Sequence, residues 1–339
     1  MGLAIVLLLA VLAAPALAQE APALTVSGLR KPVDKSYRKM VKGMTLFEEL
    51  RAMAPGASLR YRLWPRKPGT DMGGVTLAVV GDSFELPIPV AADRTFTLGR
   101  YAKALDEDAS VRPNRKAGSM TWRVDIRTPG VPADQRRLGD LRLECRVGME
   151  AELVSHYPSI LDRVMERVLG AGSFCDQREP PYLFFADRPL FSVTLYAGAR
   201  RRTLSAGELY AGLAHGRAPG EELSYCDCEA LLAQAYYVPL GDRSWPDDTR
   251  VELEYMDGPS RVPAGGGSGD ETDYGALVGS TKGEIAAAFG KAAVVRFGDG
   301  REIWTYQFGP PERRLDQPEL VVLFDRWGTA AKARFRAGS

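Results

Sequence analysis

TKGEIAAAFG, residues 281–290, decides the fold of the C-terminal part of the chain. Thr281 and Glu284 have the spacing of a capping box, in which each side chain accepts a backbone N–H group at the start of a helix. Gly290 can take the left-handed conformation that ends a helix. The stretch therefore predicts one short capped helix, whose apolar face carries Ile285, Ala288 and Phe289.

Strand patterns follow this helix. Asp299 and Gly300 are a dipeptide typical of a tight turn, and they separate the segments 294–297 and 302–308. With 320–324, these segments predict a three-stranded meander, and 331–335 forms a further hairpin with the third strand. The helix should cover one face of this small sheet.

Trp304 and Tyr306 fall on the same side of the second strand, because side chains alternate along a strand. Two roles are open for this pair. The rings are either part of the packing between helix and sheet, or candidates for contact with a partner protein.

The order of these elements resembles the SmpA/OmlA family of small outer-membrane-associated proteins, which includes the BamE subunit of the β-barrel assembly machinery. The resemblance covers about residues 272–336. The family's usual proline after the helix glycine is absent, since Ala292 and Ala293 occupy that stretch. The resemblance implies a non-enzymatic envelope protein that stabilises assemblies, with an envelope or outer-membrane protein as its partner.

A glycine-rich stretch separates this domain, residues 271–339, from the rest of the chain. Residues 258–270 include Gly265-Gly266-Gly267-Ser268-Gly269, a composition typical of a flexible linker. Upstream, the pattern predicts a β-rich module at 19–149 and a second one at 150–257 that begins with a linking helix. The predicted fold class is α+β, with two sandwich-like modules before the small helix-plus-antiparallel-sheet domain.

Two segments near the first boundary carry apolar alternation. Met120, Trp122, Val124 and Ile126 alternate with polar residues, which predicts a half-buried strand. Residues 141–147 repeat the alternation, so a second strand is expected there with Cys145 pointing inward. Residues 150–169 then show helical periodicity.

The N-terminus resembles a secretory signal peptide. Residues 1–18 contain no charged side chain, and Ala16 and Ala18 are the small residues that a signal peptidase requires. Cleavage after Ala18 is expected, with an uncleaved membrane anchor as the alternative. Gln19 stands where a lipoprotein needs cysteine, so no lipidation is expected. The predicted location is the periplasm.

Four cysteines follow an export signal, which indicates disulfides. A bridge between Cys226 and Cys228 closes a very tight loop, so we expect each of them to bond to Cys145 or Cys175. No metal is expected, because His156 and His215 are the two histidines and neither is near the Cys226–Cys228 pair.

Charge excludes some partners and suggests another. The net charge of +1 gives no overall attraction to nucleic acid, and no nucleic-acid partner is expected. A local basic run is either a solvated helix face or a contact for anionic cell-wall polymer or lipid: Arg30, Lys31, Lys35, Arg38, Lys39 and Lys42.

No motif of nucleophilic or nucleotide chemistry is present in the sequence, and no cofactor is expected. The sequence therefore predicts a non-catalytic periplasmic binding protein that supports outer-membrane or envelope assembly. A carbohydrate- or peptidoglycan-binding protein is the alternative, and a carboxylate-based hydrolase is a third.

Overall fold

The computed structural model describes residues 34–154, 171–176, 182–215, 229–259, 271–273, 275–309 and 317–336. These ranges contain helices together with several antiparallel sheets, so the predicted α+β class is confirmed. None of the helices in these ranges is long and apolar enough to cross a membrane.

The first part of the chain forms two small sheets and three helices. Its elements are β1 (Lys35–Ser36), α1 (Tyr37–Glu49), β2 (Ser58–Pro65), β3 (Leu77–Val80), β4 (Glu85–Ile88), β5 (Thr95–Phe96), α2 (Ala102–Asp106), β6 (Ser110–Pro113), β7 (Met120–Arg127), β8 (Gln135–Arg137) and α3 (Leu138–Glu150). The sheet orders are β1-β6-β3-β4 and β5-β2-β7. Strand β4 contains Pro87 and lies at a sheet edge, where a residue without an N–H group is tolerated.

The second part contributes β9 (Phe184–Phe185), β10 (Leu190–Ala197), β11 (Arg200–Thr203), β12 (Ala235–Tyr236) and β13 (Arg250–Tyr255). Strand β8 from the first part joins these strands in the order β11-β10-β13-β8, while β12 pairs with β9. The C-terminal elements are β14 (Glu271–Asp273), α4 (Lys282–Phe289), β15 (Ala293–Arg296), β16 (Glu302–Gln307), β17 (Glu319–Phe324) and β18 (Ala330–Arg336).

Helix α3 corrects the strand that was predicted at 141–147. Leu141 and Cys145 pack in one hydrophobic cluster, and Leu143 and Val147 pack in another. Apolar residues on two opposite faces of a helix imitate the alternation of a strand, and that is why the prediction was wrong. The helix joins the two cores across the expected module boundary at 149/150. Of the helix predicted at 150–169, residues 155–169 lie outside the described ranges.

The position of α3 also decides the disulfide. Cys145 bonds to Cys175 with a Cα–Cα distance of 6.0 Å, and both residues are buried. The expected bonds from Cys226 and Cys228 to these two residues are therefore wrong. Cys145 lies on the face of α3 that is turned toward the short helix at 171–176. The predicted strand at 141–147 gave no reason to expect this contact. Cys226 and Cys228 themselves lie outside the described residues.

The capped helix and the first hairpin of the C-terminal domain are confirmed. The Thr281 N–H group donates to Glu284 at 2.8 Å, and the Glu284 N–H group donates to the Thr281 hydroxyl at 3.3 Å. Gly290 ends α4 with a φ of 81°. The sheet has five strands in the order β14-β18-β17-β16-β15, two more than the meander. Ile285 is buried, whereas the Phe289 ring is half-buried.

The sheet face away from α4 is covered. Phe297 packs edge-on against Tyr210 at 5.2 Å between ring centroids, and Val295, Ile303 and Leu323 join the cluster of β10 and β13. This sheet is therefore held against the second part of the chain by an apolar interface. The face of the sheet that α4 does not cover is therefore occupied by the chain itself.

Candidate functional site

Strand β7 is buried on both faces. Trp122 and Val124 point into the core, as the alternation predicted. Arg123 and Asp125 on the opposite face, which the pattern placed in solvent, are only 7% and 4% exposed. Burying a charge costs free energy unless the charge is paired, so each charged residue on this face should have a partner of opposite charge.

Strand β2 supplies the first partners through its register. Arg60 lies directly opposite Asp125, and Arg62 lies opposite Arg123. The Asp125 carboxylate accepts hydrogen bonds from Arg60 Nη2 at 3.1 Å and from Arg127 Nε at 2.9 Å. Burial raises the pKa of this carboxyl, but the surrounding guanidinium groups outweigh burial and hold the pKa below its usual value.

Asp187 joins the cluster from the loop after β9. It accepts from Arg62 Nη1 at 2.7 Å and from Arg127 Nη2 at 3.3 Å. Arg62 and Arg127 are therefore both neutralised by carboxylates. These ion pairs explain why both arginines are present, so we assign them a structural role.

Arg136 and Glu144 close the free edge of β7. The Ile126 N–H group donates to Glu144 at 3.2 Å, and Arg136 donates to the Ile126 carbonyl at 2.9 Å and to Glu144 at 2.7 Å. Burial raises the pKa of Glu144 despite the opposing effect of Arg136. Because β7 pairs with β2 alone, these two side chains replace a missing strand and have a structural role.

Arg123 differs from its neighbours. Its Nη1 donates to the Leu183 carbonyl, and its guanidinium lies 4.8 Å from the Phe185 ring centroid and 5.6 Å from that of Tyr182. No carboxylate among the described residues pairs with it. Burial lowers the pKa of this guanidinium. Arg123 therefore carries a buried charge without an ion-pair partner in the described ranges, and Asp125 and Glu144 are the carboxylates that line the pocket beside it.

A narrow pocket opens beside Arg123. We call it the arginine pocket, and its main lining residues are Arg62, Trp64, Arg123, Asp125, Arg127 and Phe185. Its enclosed volume of about 10 Å³ is close to that of one water molecule, so it suits the tip of a ligand rather than a whole one. Four arginines and two carboxylates line it, counting Arg136 and Glu144. An unneutralised guanidinium fork flanked by aromatic rings is suited to a carboxylate or phosphate oxygen.

A second, wider cleft is lined by residues from β1, α1 and the start of β7. We call it the lysine cleft; it has a volume of about 400 Å³, and its lining includes Lys35, Lys39, Arg66, Gly118, Thr121 and Glu152. Lys35 is a member of the basic run, yet its side chain turns inward over the Trp122 ring. The run therefore does not present one continuous charged face.

The rest of the basic run is placed as follows. Arg38 pairs with Asp108, and Lys39 pairs with Glu152, both on the surface. Lys42 is exposed. Arg30 and Lys31 lie outside the described residues. Exposed ion pairs of this kind contribute little to stability, so these contacts do not give the basic run a strong structural role. They do not show that it binds a ligand either.

The two aromatic candidates on β16 lie beneath α4. Tyr306 is 4% exposed and packs against Phe289, and Trp304 is half-buried and packs against Phe324. Trp304 Nε1 also donates to Glu302 at 2.7 Å. Core packing accounts for Tyr306, while Trp304 keeps part of its ring at the surface.

Sequence reasoning missed Arg123 as a site residue, and it named Lys35 only as one member of the basic run. The charges at alternate positions of β2 and β7 were a signal, because Arg60, Arg62, Arg123, Asp125 and Arg127 share one face of a strand pair. The pattern did not reveal that β9 and its loop cover that face. The described part of the chain contains no group of three or more residues suited to a metal ion.

Comparison of the chain with protein-family models, with curated proteins and with solved structures found no match.

Proposed function

We propose that this protein is a non-catalytic binding protein of the periplasm and that its arginine pocket holds the carboxylate of a cell-wall peptide. The observation that carries the proposal is Arg123, a buried guanidinium that contacts a carbonyl and two aromatic rings and forms no ion pair with a described carboxylate. The proposed location rests on the signal-like segment 1–18. Two sandwich-like modules and a BamE-like C-terminal domain are part of the same proposal.

A structural arginine and a binding arginine differ in what their loss does to stability. Removing an unneutralised buried charge is neutral or stabilising when an apolar side chain of similar volume replaces it. Removing a structural partner is costly, because it leaves another group unsatisfied. In the described ranges Arg123 has one hydrogen-bond partner, the Leu183 carbonyl, so its replacement should cost about 1–3 kcal/mol of stability at most and cause a large loss of binding.

The geometry favours binding of peptidoglycan over a role in outer-membrane assembly. The face of the C-terminal sheet that a partner would have used is buried against Tyr210 and the β10–β13 pair. One feature still favours a protein contact there. Trp327 is 75% exposed in the turn between β17 and β18 and stacks against Arg326. Support of an envelope assembly through this turn is the second candidate.

The test compares three proteins: the wild type, Arg123→Met, and Arg51→Met as a matched control at an exposed arginine. Each is sedimented with isolated cell wall and titrated with a soluble peptide that has a free carboxylate. We expect Arg123→Met to weaken binding by roughly 1.5–3 kcal/mol, about tenfold to a hundredfold in Kd, while Arg51→Met binds like the wild type.

The arms of the experiment separate the outcomes. Binding of the soluble peptide without binding of cell wall would support the pocket as a carboxylate site and show that its ligand does not come from the cell wall. Failure of the wild type to bind either probe, or equal binding by Arg123→Met, would refute the proposal. Retention of an envelope protein that Trp327→Ser abolishes would move the function to the second candidate.

A further inference from the structure

Lys35 is a lysine without a carboxylate partner among the described residues. Its Nζ donates to the Leu153 carbonyl at 3.2 Å and to the Trp122 carbonyl at 3.4 Å, and it lies 5.2 Å from the Trp122 ring centroid. The ammonium of a surface lysine is surrounded by water. This one is held between two carbonyl oxygens and an indole ring, at the wall of the lysine cleft.

The charges around Lys35 do not compensate for its burial. Arg123 and Arg66 act on it as like charges. The carboxylates of the cleft are engaged elsewhere, since Asp34 lies 3.6 Å from Arg112 and Glu152 pairs with Lys39. Burial, followed by Arg123 and Arg66, lowers the pKa of Lys35 to about 7. The neutral amine is therefore well populated at neutral pH.

The geometry also presents the amine as a nucleophile. A neutral amine has two N–H groups and one lone pair, and the two carbonyl oxygens account for both N–H groups. Within the described ranges, no group donates a hydrogen bond to the lone pair of this amine. Lys35 lines a cleft of about 400 Å³ that is open to solvent.

We propose that Lys35 captures a small aldehyde or ketone as a reversible imine in the lysine cleft. The amine lone pair forms a bond to the carbonyl carbon while the C=O π pair moves to oxygen. A proton passes from nitrogen to that oxygen and gives a carbinolamine. Loss of the hydroxyl group as water, with the second amine proton, leaves the imine. No oxidant or reductant is needed, and the reaction is binding rather than turnover.

The lining of the cleft carries charges of both signs, since Lys39 and Arg66 are opposed by Asp34 and Glu152. The ligand is therefore defined by its carbonyl group, which is what the amine can bond to. The inference concerns a different cavity from the arginine pocket and does not depend on the proposed function.

The experiment uses the full chain with glyoxylate and, separately, pyridoxal 5′-phosphate at about pH 7.5. Borohydride reduces any imine to a stable secondary amine, and peptide mass spectrometry locates it. A solvated lysine has a pKa of about 10.4, so the neutral fraction of Lys35 is roughly 600-fold larger at this pH, although the less basic amine is also a weaker nucleophile. We expect labelling of Lys35 at a rate 10- to 100-fold above that of Lys39 and Lys42 in the same sample.

Variants give the second readout. Lys35→Arg keeps the positive charge but cannot form an imine, and it should lose the fast phase of labelling; Lys39→Arg should keep it. The site-resolved rates in the wild type do not depend on any variant folding. Labelling of Lys35 no faster than that of Lys42, or an unchanged fast phase in folded Lys35→Arg, would overturn the proposal.

Discussion

Glu254 on β13 is the residue on which the attachment of the C-terminal sheet should depend. Its carboxylate lies 3.2 Å from Lys332 Nζ and 2.6 Å from Arg334 Nη1, both on β18, and all three side chains are buried. Glu254→Gln keeps the shape of the side chain and removes its charge. Two buried cations then face an amide, and breaking a buried ion pair in this way costs about 3–5 kcal/mol.

The measurement is the free energy of unfolding from urea denaturation of the full chain, with the m-value recorded for each protein. Glu252→Gln is the control, because Glu252 is on the same strand and its ion pair with Arg250 is long, at 3.8 Å, and partly exposed. The control should change stability by at most about 1 kcal/mol. A Glu254→Gln protein within 1 kcal/mol of the wild type would refute the buried interface and free the sheet face for a partner.

Two further predictions concern Lys35 and the disulfide. The folded pKa of Lys35, about 7, lies below the unfolded value of about 10.4, so the unfolded chain binds more protons between them and stability rises with pH in that window by up to about 1.4 kcal/mol per pH unit. Lys35→Met should flatten this slope in urea denaturation at pH values from about 7 to 9, and an unchanged slope would contradict the burial of the amine. For the disulfide, non-reducing peptide mapping should recover Cys145 linked to Cys175, a bond that stabilises the fold by roughly 3–4 kcal/mol for its separation of 30 residues. A peptide joining Cys145 to Cys226 or Cys228 would show that the pairing is wrong.

The elements that could be predicted from sequence are those whose signals are local. The capping box of Thr281 and Glu284 and the turn at Asp299-Gly300 each define their own structure within a few residues. The alternation of β7 likewise predicted a strand with Trp122 in the core. Helix α3 was mistaken because its two buried faces come from two different cores, and that arrangement is a property of the tertiary fold.

The candidate sites were beyond sequence reasoning for a related reason. In the sequence, Lys35 is one member of a basic run, and Arg123 is a polar residue on the predicted solvent-exposed face of a strand. The properties of each group come from the residues that contact it. These are Leu153 and Trp122 for the Lys35 amine, and Leu183 and Phe185 for the Arg123 guanidinium. These neighbours are distant in sequence or follow a different strand, and no spacing rule connects them.

The two sites should influence each other, because Trp122 and Arg123 are adjacent on β7 and the charge of Arg123 is one cause of the low pKa of Lys35. An anion bound in the arginine pocket would offset that charge. The pKa of Lys35 would then rise, and less of its amine would be neutral near pH 7. Occupation of one cavity therefore decreases the reactivity of the other without any movement of the backbone. By linkage, protonation of Lys35 should favour anion binding at Arg123 by the same free energy.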